Sequence, residues 1–387
     1  MVYQLSPFLL KNRDGFYSNL LTGKSVRLSS LVHERLKSLL PGFTPEDVAR
    51  LLGIDLATAE EFCRTLANKK IALSADLDPF RLYLIRYADV EICSHCNARC
   101  CFCPVSIDPR PKKTMALGDF EIIVQKLAVE PNLRWVSLNH YNEPLLDPTF
   151  LAKVEILACH GVQLRLFTNG HLLTADVAKR LVELKNVESI VLNIPSGDPC
   201  EYREMMGVKM PAHLIDRCSS AVQAGLPIYL CINGNPARAL KNSVGLKAIM
   251  DRHGARRPSA FINLTHDRAG MLTGSEVHRS GRWMGKLGGC RRMFEHLHIS
   301  VNGDVFLCCQ DYYQRHVFGN LISQSISAIM SGDSAVHIRR QVFGGAESSS
   351  EFICRGCVEL VRVGDRLSST SYSDAHTSAE RSNNEGE

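Results

Sequence analysis

The sequence predicts an α/β protein built around a partial (β/α)6 barrel. Between residues 86 and 270, six short apolar runs alternate with longer amphipathic stretches, the pattern of parallel strands joined by right-handed helical crossovers. This region has no glycine-rich dinucleotide fingerprint, which favours an incomplete barrel over a dinucleotide-binding sheet. The flanking segments differ in character, so we expect four parts: an N-terminal domain (1–80), the barrel (81–283), a cysteine-rich domain (284–364) and a disordered tail (365–387).

Composition narrows the class of protein. The 387 residues are 45% hydrophobic, enough for the core of a barrel and one or two small domains. The net charge is only +5, and no block of lysine and arginine marks a nucleic-acid surface. We find no apolar run of the roughly 20 residues that cross a membrane, and no secretory signal at the N-terminus. We therefore expect a cytoplasmic protein without nucleic-acid or membrane partners.

Residues 1–80 predict a winged-helix-like α+β domain. Short strands at 8–11, 16–20 and 26–28 precede three helices. The first helix starts at Ser30, and Thr44 caps the second, with Pro45 at its first position. The third helix is expected from about Leu56 to Asn68.

The barrel is predicted from its strands and the helices between them. We expect strands at 88–92, 135–138, 163–167, 189–194, 228–232 and 260–264, and helices at 117–129, 148–160, 174–185, 211–224 and 239–253. Catalytic groups of such barrels lie at the C-terminal ends of the strands. The residues that follow each strand are therefore the candidates for function.

A cysteine cluster follows the first barrel strand. Cys96, Cys100 and Cys103 have C-x3-C-x2-C spacing, and three thiolates can bind a 4Fe–4S cube while leaving its fourth iron open. The alternative is a zinc knot that also uses Cys93, although the gap between its two cysteine pairs is tight for paired knuckles. We expect Cys93 and Cys101 to be bystanders.

The run CNARCCFCP, residues 96–104, resembles the signature loop of the radical S-adenosylmethionine (SAM) superfamily, including the aromatic Phe102 before the third cysteine. In that family the open iron binds SAM, whose reductive cleavage gives a 5′-deoxyadenosyl radical that takes hydrogen from a substrate. The resemblance implies an enzyme with SAM, a [4Fe–4S] cluster and a reducing partner such as flavodoxin or ferredoxin.

The resemblance extends to the ends of later strands. Tyr141-Asn142-Glu143-Pro144 resembles the family's Gly-Gly-Glu-Pro motif, but both glycines are replaced. Other polar residues follow the third, fourth and fifth strands, where family members contact SAM, although each alone is ordinary turn chemistry. The SAM contacts implied are Tyr141, Asn142, Glu143, Pro144, Thr168, Asn169, Ser196 and Asn233.

A second cysteine set lies beyond the barrel. A hairpin with Asn302-Gly303 at its turn brings Cys290 and Cys308 together, and a later Cys354-x2-Cys357 can complete four ligands. Four thiolates close a site, which then carries electrons or supports structure; zinc is the alternative metal.

This pattern resembles the SPASM/Twitch extensions of radical SAM enzymes. Because no cysteine follows Cys357, the shorter Twitch type with one auxiliary [4Fe–4S] cluster is implied. Cys309 can replace Cys308 as a ligand, although the spacing from Gly303 favours Cys308. Otherwise Cys309 and Asp311 are candidate catalytic residues, the thiol as a hydrogen donor and the carboxylate as a base, unless they serve packing alone.

The N-terminal layout also resembles PqqD-like domains, the recognition elements of enzymes that modify ribosomally made peptides. That resemblance implies a precursor peptide substrate that is crosslinked, epimerised or oxidised. A winged helix can instead pack on the barrel, mediate dimerisation or bind DNA, although its basic residues are balanced by acids. Two other hypotheses remain: a radical dehydrogenase of a sugar or cyclitol alcohol, and a non-catalytic iron–sulfur carrier or scaffold.

Overall fold

The computed structural model describes residues 1–11, 15–39, 41–251, 258–274, 276–279 and 281–362. The predicted tail, 365–387, lies outside these residues. Within the described ranges, none of the helices is both long and apolar enough to cross a membrane.

The predicted strands and helices appear in the expected order, with further short elements between and after them. The strands are β1 (Tyr3–Leu5), β2 (Leu9–Lys11), β3 (Phe16–Asn19), β4 (Ser25–Arg27), β5 (Ala72–Ser74), β6 (Tyr87–Val90), β7 (Trp135–Ser137), β8 (Leu164–Thr168), β9 (Val187–Asn193), β10 (Ile228–Gly234), β11 (Ser259–Leu264), β12 (Leu287–Gly289), β13 (His296–Ile299), β14 (Asp304–Phe306), β15 (Val317–Asn320) and β16 (Val361–Arg362). The helices are α1 (Ser30–Lys37), α2 (Pro45–Leu52), α3 (Leu56–Asn68), α4 (Leu117–Ala128), α5 (Phe150–Cys159), α6 (Ala175–Leu184), α7 (Pro199–Met206), α8 (Leu214–Gln223), α9 (Pro236–Met250), α10 (Arg292–Glu295), α11 (Ile326–Met330) and α12 (Asp333–Val342).

A nine-stranded sheet forms the centre of the fold, in the order β11-β10-β9-β8-β7-β6-β13-β14-β15. Strands β6 to β11 are parallel, as expected for successive β/α units. The predicted α/β class, with a largely parallel central sheet, is confirmed. The hairpin β13–β14 is not separate from the barrel, because β13 pairs in parallel with β6 and brings His298 opposite Asp89.

Local sequence signals explain where the helices start and end. Thr44 and Asp47 form a reciprocal capping box at the start of α2, and Gly53 ends that helix in a left-handed conformation. Thr174 caps α6 by accepting a hydrogen bond from the Val177 backbone N–H. Helix α7 was not predicted; Asp198 caps it, and Pro199 stands at its first position.

The N-terminal elements form two small sheets, β2-β3-β4 and β1-β5, against three helices. They pack onto the C-terminal part of the chain through Phe8. Its ring centroid lies 4.4 Å from that of Phe294 and 5.0 Å from that of Phe343, and it lies 5.5 Å from that of Phe80 at the end of the N-terminal segment itself. Because aromatic clusters of this kind bury large apolar areas, Phe8 anchors the N-terminal elements to the rest of the molecule.

Candidate active site

A cavity of about 370 Å³ lies within the barrel, reaching from inward-facing strand residues to the loops at the C-terminal strand ends. The three cysteines of the first cluster, Cys96, Cys100 and Cys103, line it. Cys93 does not; its buried thiol contacts the Glu143 carbonyl at 3.4 Å and the Asn142 side-chain amide at 3.5 Å. The spacing of the motif thus brings three thiols to one cavity wall.

Helix α7 holds the cysteine loop in place. The backbone N–H groups of Arg99 and Cys101 donate to the carbonyls of Met206 and Met205, each at 2.9 Å. Gly207 has a φ of +66°, and a Cβ atom there would meet the Arg99 carbonyl oxygen at 2.5 Å. Only glycine satisfies both conditions, so the helix end and the loop fit each other closely.

The donor set fits an iron–sulfur cluster. Burial raises the pKa of the Cys96 thiol to about 12, so the positive charge of iron would be needed to hold it as a thiolate. The Ala98 backbone N–H and the Asn169 amide lie 3.4 and 3.9 Å from the Cys96 sulfur. Such N–H donors stabilise negative charge on cluster thiolates.

Glu143 sits beside this loop in a fully buried position. Its carboxyl group accepts hydrogen bonds from the Thr168 hydroxyl and the Asn169 backbone N–H, both at 2.7 Å, and from the Leu145 N–H at 3.2 Å. Burial raises its pKa to about 7, against the opposing effect of these three donors. Pro144 opens the short 3₁₀ turn that aligns the Leu145 donor. The structure therefore brings Glu143, Thr168 and Asn169 together.

A row of amides crosses the later strands. The Asn233 side chain donates to Asn193 at 2.6 Å and accepts from Asn263 at 2.5 Å, and all three line the cavity. Ser196 does not line it, because its hydroxyl bonds to Glu201 at 2.9 Å. Of these two predicted SAM contacts, Asn233 therefore lines the cavity, whereas the Ser196 hydroxyl bonds to helix α7. Asn193 was missed because the strand was predicted to run on to residue 194, whereas β9 ends at Asn193 itself.

Tyr141 and Asn142 also line the cavity, but both are tied to protein groups. The Tyr141 hydroxyl donates to the Cys309 carbonyl at 2.7 Å. The Asn142 side chain accepts from the His140 backbone N–H at 2.8 Å and donates to the Leu138 carbonyl at 3.1 Å. These two residues shape the loop that stands where the family motif has two glycines.

The second cysteine set surrounds a separate pocket. Cys290, Cys308, Cys354 and Cys357 all line it, together with apolar side chains that include Leu307. Burial raises the pKa of all four thiols, as in the first cluster. Four cysteines around one pocket fit a cluster site with no open coordination position.

Cys309 faces the opposite way from Cys308. It lines the barrel cavity, and the Arg292 guanidinium donates to its sulfur at 3.0 Å. Asp311 lines neither cavity; its carboxylate accepts from the backbone N–H groups of Arg315 and His316 and from the His316 ring. The structure therefore separates the two predicted catalytic residues, and Asp311 serves as a loop cap.

The two pockets share a wall. Arg292, Gln310 and Glu359 line both the barrel cavity and the pocket of the second cysteine set. Arg268 also lines the barrel cavity, with its guanidinium 5.7 Å from the Tyr141 ring centroid. Arg268 follows the last strand of the barrel, but no sequence pattern there indicated that it lines the cavity.

Comparison with known families identifies this arrangement. The Radical SAM superfamily domain matches residues 90–239, and the SPASM iron–sulfur cluster-binding domain matches residues 290–358. The chain belongs to the radical SAM superfamily. Its cofactors are accordingly SAM, the [4Fe–4S] cluster that binds it and an auxiliary iron–sulfur cluster. The PqqD-like resemblance of residues 5–75 is matched by neither domain and stays a prediction.

This radical SAM protein is similar to enzymes with different substrates. A SAM-dependent 2-deoxy-scyllo-inosamine dehydrogenase of Niallia circulans is 23% identical over 280 residues, 71% of this chain and 93% of that protein. Among solved structures, Streptococcus suis SuiB bound to the precursor peptide SuiA has a TM-score of 0.56 at 13% identity, covering 92% of this chain and 93% of SuiB. The enzyme anSMEcpe, bound to AdoMet and the Cp18Cys peptide, has a TM-score of 0.50 at 14% identity, covering 76% and 94%.

Proposed function

We propose that this radical SAM enzyme modifies a ribosomally made precursor peptide, which the N-terminal domain binds. The observation that carries the proposal is an additional α+β domain whose β4 edge has no strand partner among the described residues, and which Phe8 anchors to the C-terminal part of the chain. The same overall fold holds a precursor peptide in SuiB. A domain fixed in this way suits a substrate too long for the cavity itself.

Strand β4 lies at one edge of the β2-β3-β4 sheet, where among the described residues it pairs with β3 alone. The Asn19 backbone N–H donates to the Lys24 carbonyl, so hydrogen-bonded pairs alternate along β3–β4 from that point. By this alternation the N–H groups of Ser25 and Arg27 point away from β3. The Lys69 ammonium already meets the outward Ser25 carbonyl at 3.0 Å, which agrees with that direction. A peptide strand would add along this edge.

The cavity and pocket residues would have different roles in the reaction. When bound, SAM and its reduced cluster supply the radical that removes a hydrogen atom from the substrate. Cys96, Cys100 and Cys103 would hold that cluster, and Glu143 would accept hydrogen bonds from the SAM amino group. Cys309, whose sulfur accepts a hydrogen bond from Arg292, would return a hydrogen atom to a substrate radical, and the reducing partner would reduce the thiyl radical that this leaves. Cys290, Cys308, Cys354 and Cys357 would hold the auxiliary cluster.

A second candidate is a radical dehydrogenase that oxidises a small-molecule alcohol. It is favoured by the Niallia circulans dehydrogenase, which aligns over 93% of its own length. The polar cavity, lined by the Asn193, Asn233 and Asn263 amides, also suits a hydroxylated ring. In this reading the N-terminal domain has a structural role.

The first experiment is common to both candidates. Anaerobically reconstituted protein is analysed for iron and sulfide, then incubated with SAM and dithionite, and 5′-deoxyadenosine is measured. We expect about eight irons per chain and release of 5′-deoxyadenosine. Clusters without any SAM cleavage would instead favour the carrier or scaffold hypothesis.

The second experiment separates the candidates. Peptides are first selected from a display library on the full-length protein, and their affinity for the Arg27→Pro variant is then measured. This substitution removes an outward N–H while leaving the β3–β4 hydrogen bonds intact. Loss of one or two backbone hydrogen bonds weakens binding by about 5- to 30-fold. Arg27→Ala, which keeps the N–H, is the matched control. Equal binding by both variants, with deoxyadenosine formation stimulated by 2-deoxy-scyllo-inosamine, would support the dehydrogenase instead.

A further inference from the structure

One carboxylate and two imidazoles meet inside the barrel, away from both cysteine sets. Asp89 lies on β6, and His296 and His298 alternate along β13, which pairs with β6 in parallel register. The Asp89 Oδ2 atom lies 3.0 Å from His296 Nε2 and 3.1 Å from His298 Nδ1. In the described part of the chain, this is the one group of three or more His, Cys, Asp or Glu whose ligand atoms all lie within 4.8 Å of one another.

These separations are those of an ion pair, and the hydrogen-bond geometry across them is poor. Among the described residues, neither His296 Nε2 nor His298 Nδ1 has a hydrogen-bond partner, despite the short distances to Asp89. His298 is completely buried, and its Nε2 atom also lacks a partner there. Because a buried polar atom without a well-directed hydrogen bond costs free energy, a cation shared by both nitrogens and the carboxylate oxygen would stabilise the cluster beyond the ion pair itself.

Ser137 orients the Asp89 carboxylate. Its hydroxyl donates to Asp89 Oδ1 at 2.5 Å, which leaves Oδ2 directed toward the two histidines. Carboxylates that bind metal ions are commonly oriented by such a bond to their second oxygen. Ser137 lies opposite Asp89 in the β6–β7 register, so the backbone itself fixes this geometry.

We propose that Asp89, His296 and His298 bind a divalent transition-metal ion of the zinc class, separate from both iron–sulfur sites. Two imidazole nitrogens and one carboxylate oxygen form a ligand set that proteins use for zinc and for ferrous iron. Three protein ligands leave a coordination position open. Because Asp89 and His296 line the barrel cavity, that position faces the cavity and can take an oxygen or nitrogen atom of a substrate.

The site is tested with zinc on the reconstituted full-length protein. After dialysis against a chelator, zinc is titrated back and both zinc and iron are measured per chain. We expect wild type and His266→Gln, a control at another histidine that lines the same cavity, to retain about one zinc each. Asp89→Asn and His298→Gln should lose it with iron unchanged, and Ser137→Ala should bind zinc about 10- to 100-fold more weakly.

X-ray absorption at the zinc edge needs no variant and so guards against misfolding. The proposal requires a first shell of nitrogen and oxygen atoms alone. Sulfur in that shell would mean that zinc occupies cluster cysteines, and would overturn the assignment. Failure of the wild type to retain zinc, or equal retention by Asp89→Asn, would also overturn it and leave the three residues as a buried ion-pair cluster.

Discussion

Replacing Thr168 with valine should change the pH dependence of SAM binding. Valine has nearly the shape of threonine but lacks the hydroxyl that donates to Glu143 at 2.7 Å. That hydroxyl also accepts a hydrogen bond from the Gly170 backbone N–H at 3.0 Å, so some loss of stability is expected. The carboxyl group itself keeps its two backbone donors.

The size of the effect follows from the hydrogen bond that is lost. A bond to a charged group contributes about 1.5–3 kcal/mol, and one pKa unit corresponds to about 1.4 kcal/mol. Burial holds the pKa of Glu143 at about 7 in the wild type. Since the Thr168 bond favours the ionised form, its loss should raise the pKa by about one to two units.

The assay is SAM binding to the unreduced, cluster-loaded protein between pH 6 and pH 9.5. A protonated carboxyl accepts hydrogen bonds from the SAM amino group poorly, so affinity should fall as pH drops through the pKa of Glu143. Near pH 7 the ionised fraction falls from about half to between about one tenth and one hundredth, which weakens binding about 5- to 50-fold. At pH 9.5 the two proteins should bind SAM more nearly alike.

Titration of SAM itself affects both proteins equally, so the ratio of their affinities is the quantity to compare. Thr168→Ser keeps the hydroxyl and should behave as wild type. A constant ratio across the pH range would refute the reasoning, because it would mean that Glu143 does not titrate against SAM. If the affinity of wild type relative to Thr168→Val grew toward high pH, the ionised Glu143 carboxylate would not be the form that binds SAM.

Three further predictions concern the cysteines and the core. Cys96→Ala should abolish 5′-deoxyadenosine formation, whereas Cys354→Ala should lose about half of the iron and still cleave SAM; loss of cleavage in both would contradict separate roles. Cys308→Ser should lose auxiliary iron and Cys309→Ser should retain it, and the reverse result would exchange their assignments. Arg339→Met should lower the free energy of unfolding in urea by about 3–5 kcal/mol, because the buried guanidinium donates to three backbone carbonyls. A change below about 1 kcal/mol would show that water replaces those donors.

Local signals predicted the elements and the cysteine loop well. Helix α2 could be predicted because its cap and first-turn residues act within a few positions of each other. Cys96, Cys100 and Cys103 reach one cavity because a single short loop carries them all. In both cases the decisive interactions are close in sequence.

Long-range pairing could not be predicted in the same way. The meeting of Asp89 with His298 depends on β13 joining the sheet beside β6, and no local pattern specifies that partner. Position after a strand also does not determine where a side chain points. Ser196 bonds to Glu201, and Asp311 caps its own loop, although both follow the expected elements.

The contact of Phe8 with three other phenylalanines has a consequence for substrate length. Because this ring fastens the N-terminal domain to the auxiliary-cluster half of the chain, the span from the β4 edge to the cavity is constant. A peptide bound at that edge must bridge the span with its own residues, at most about 3.3–3.6 Å each. The enzyme would then select the residue to be modified by its distance along the peptide from the recognition segment.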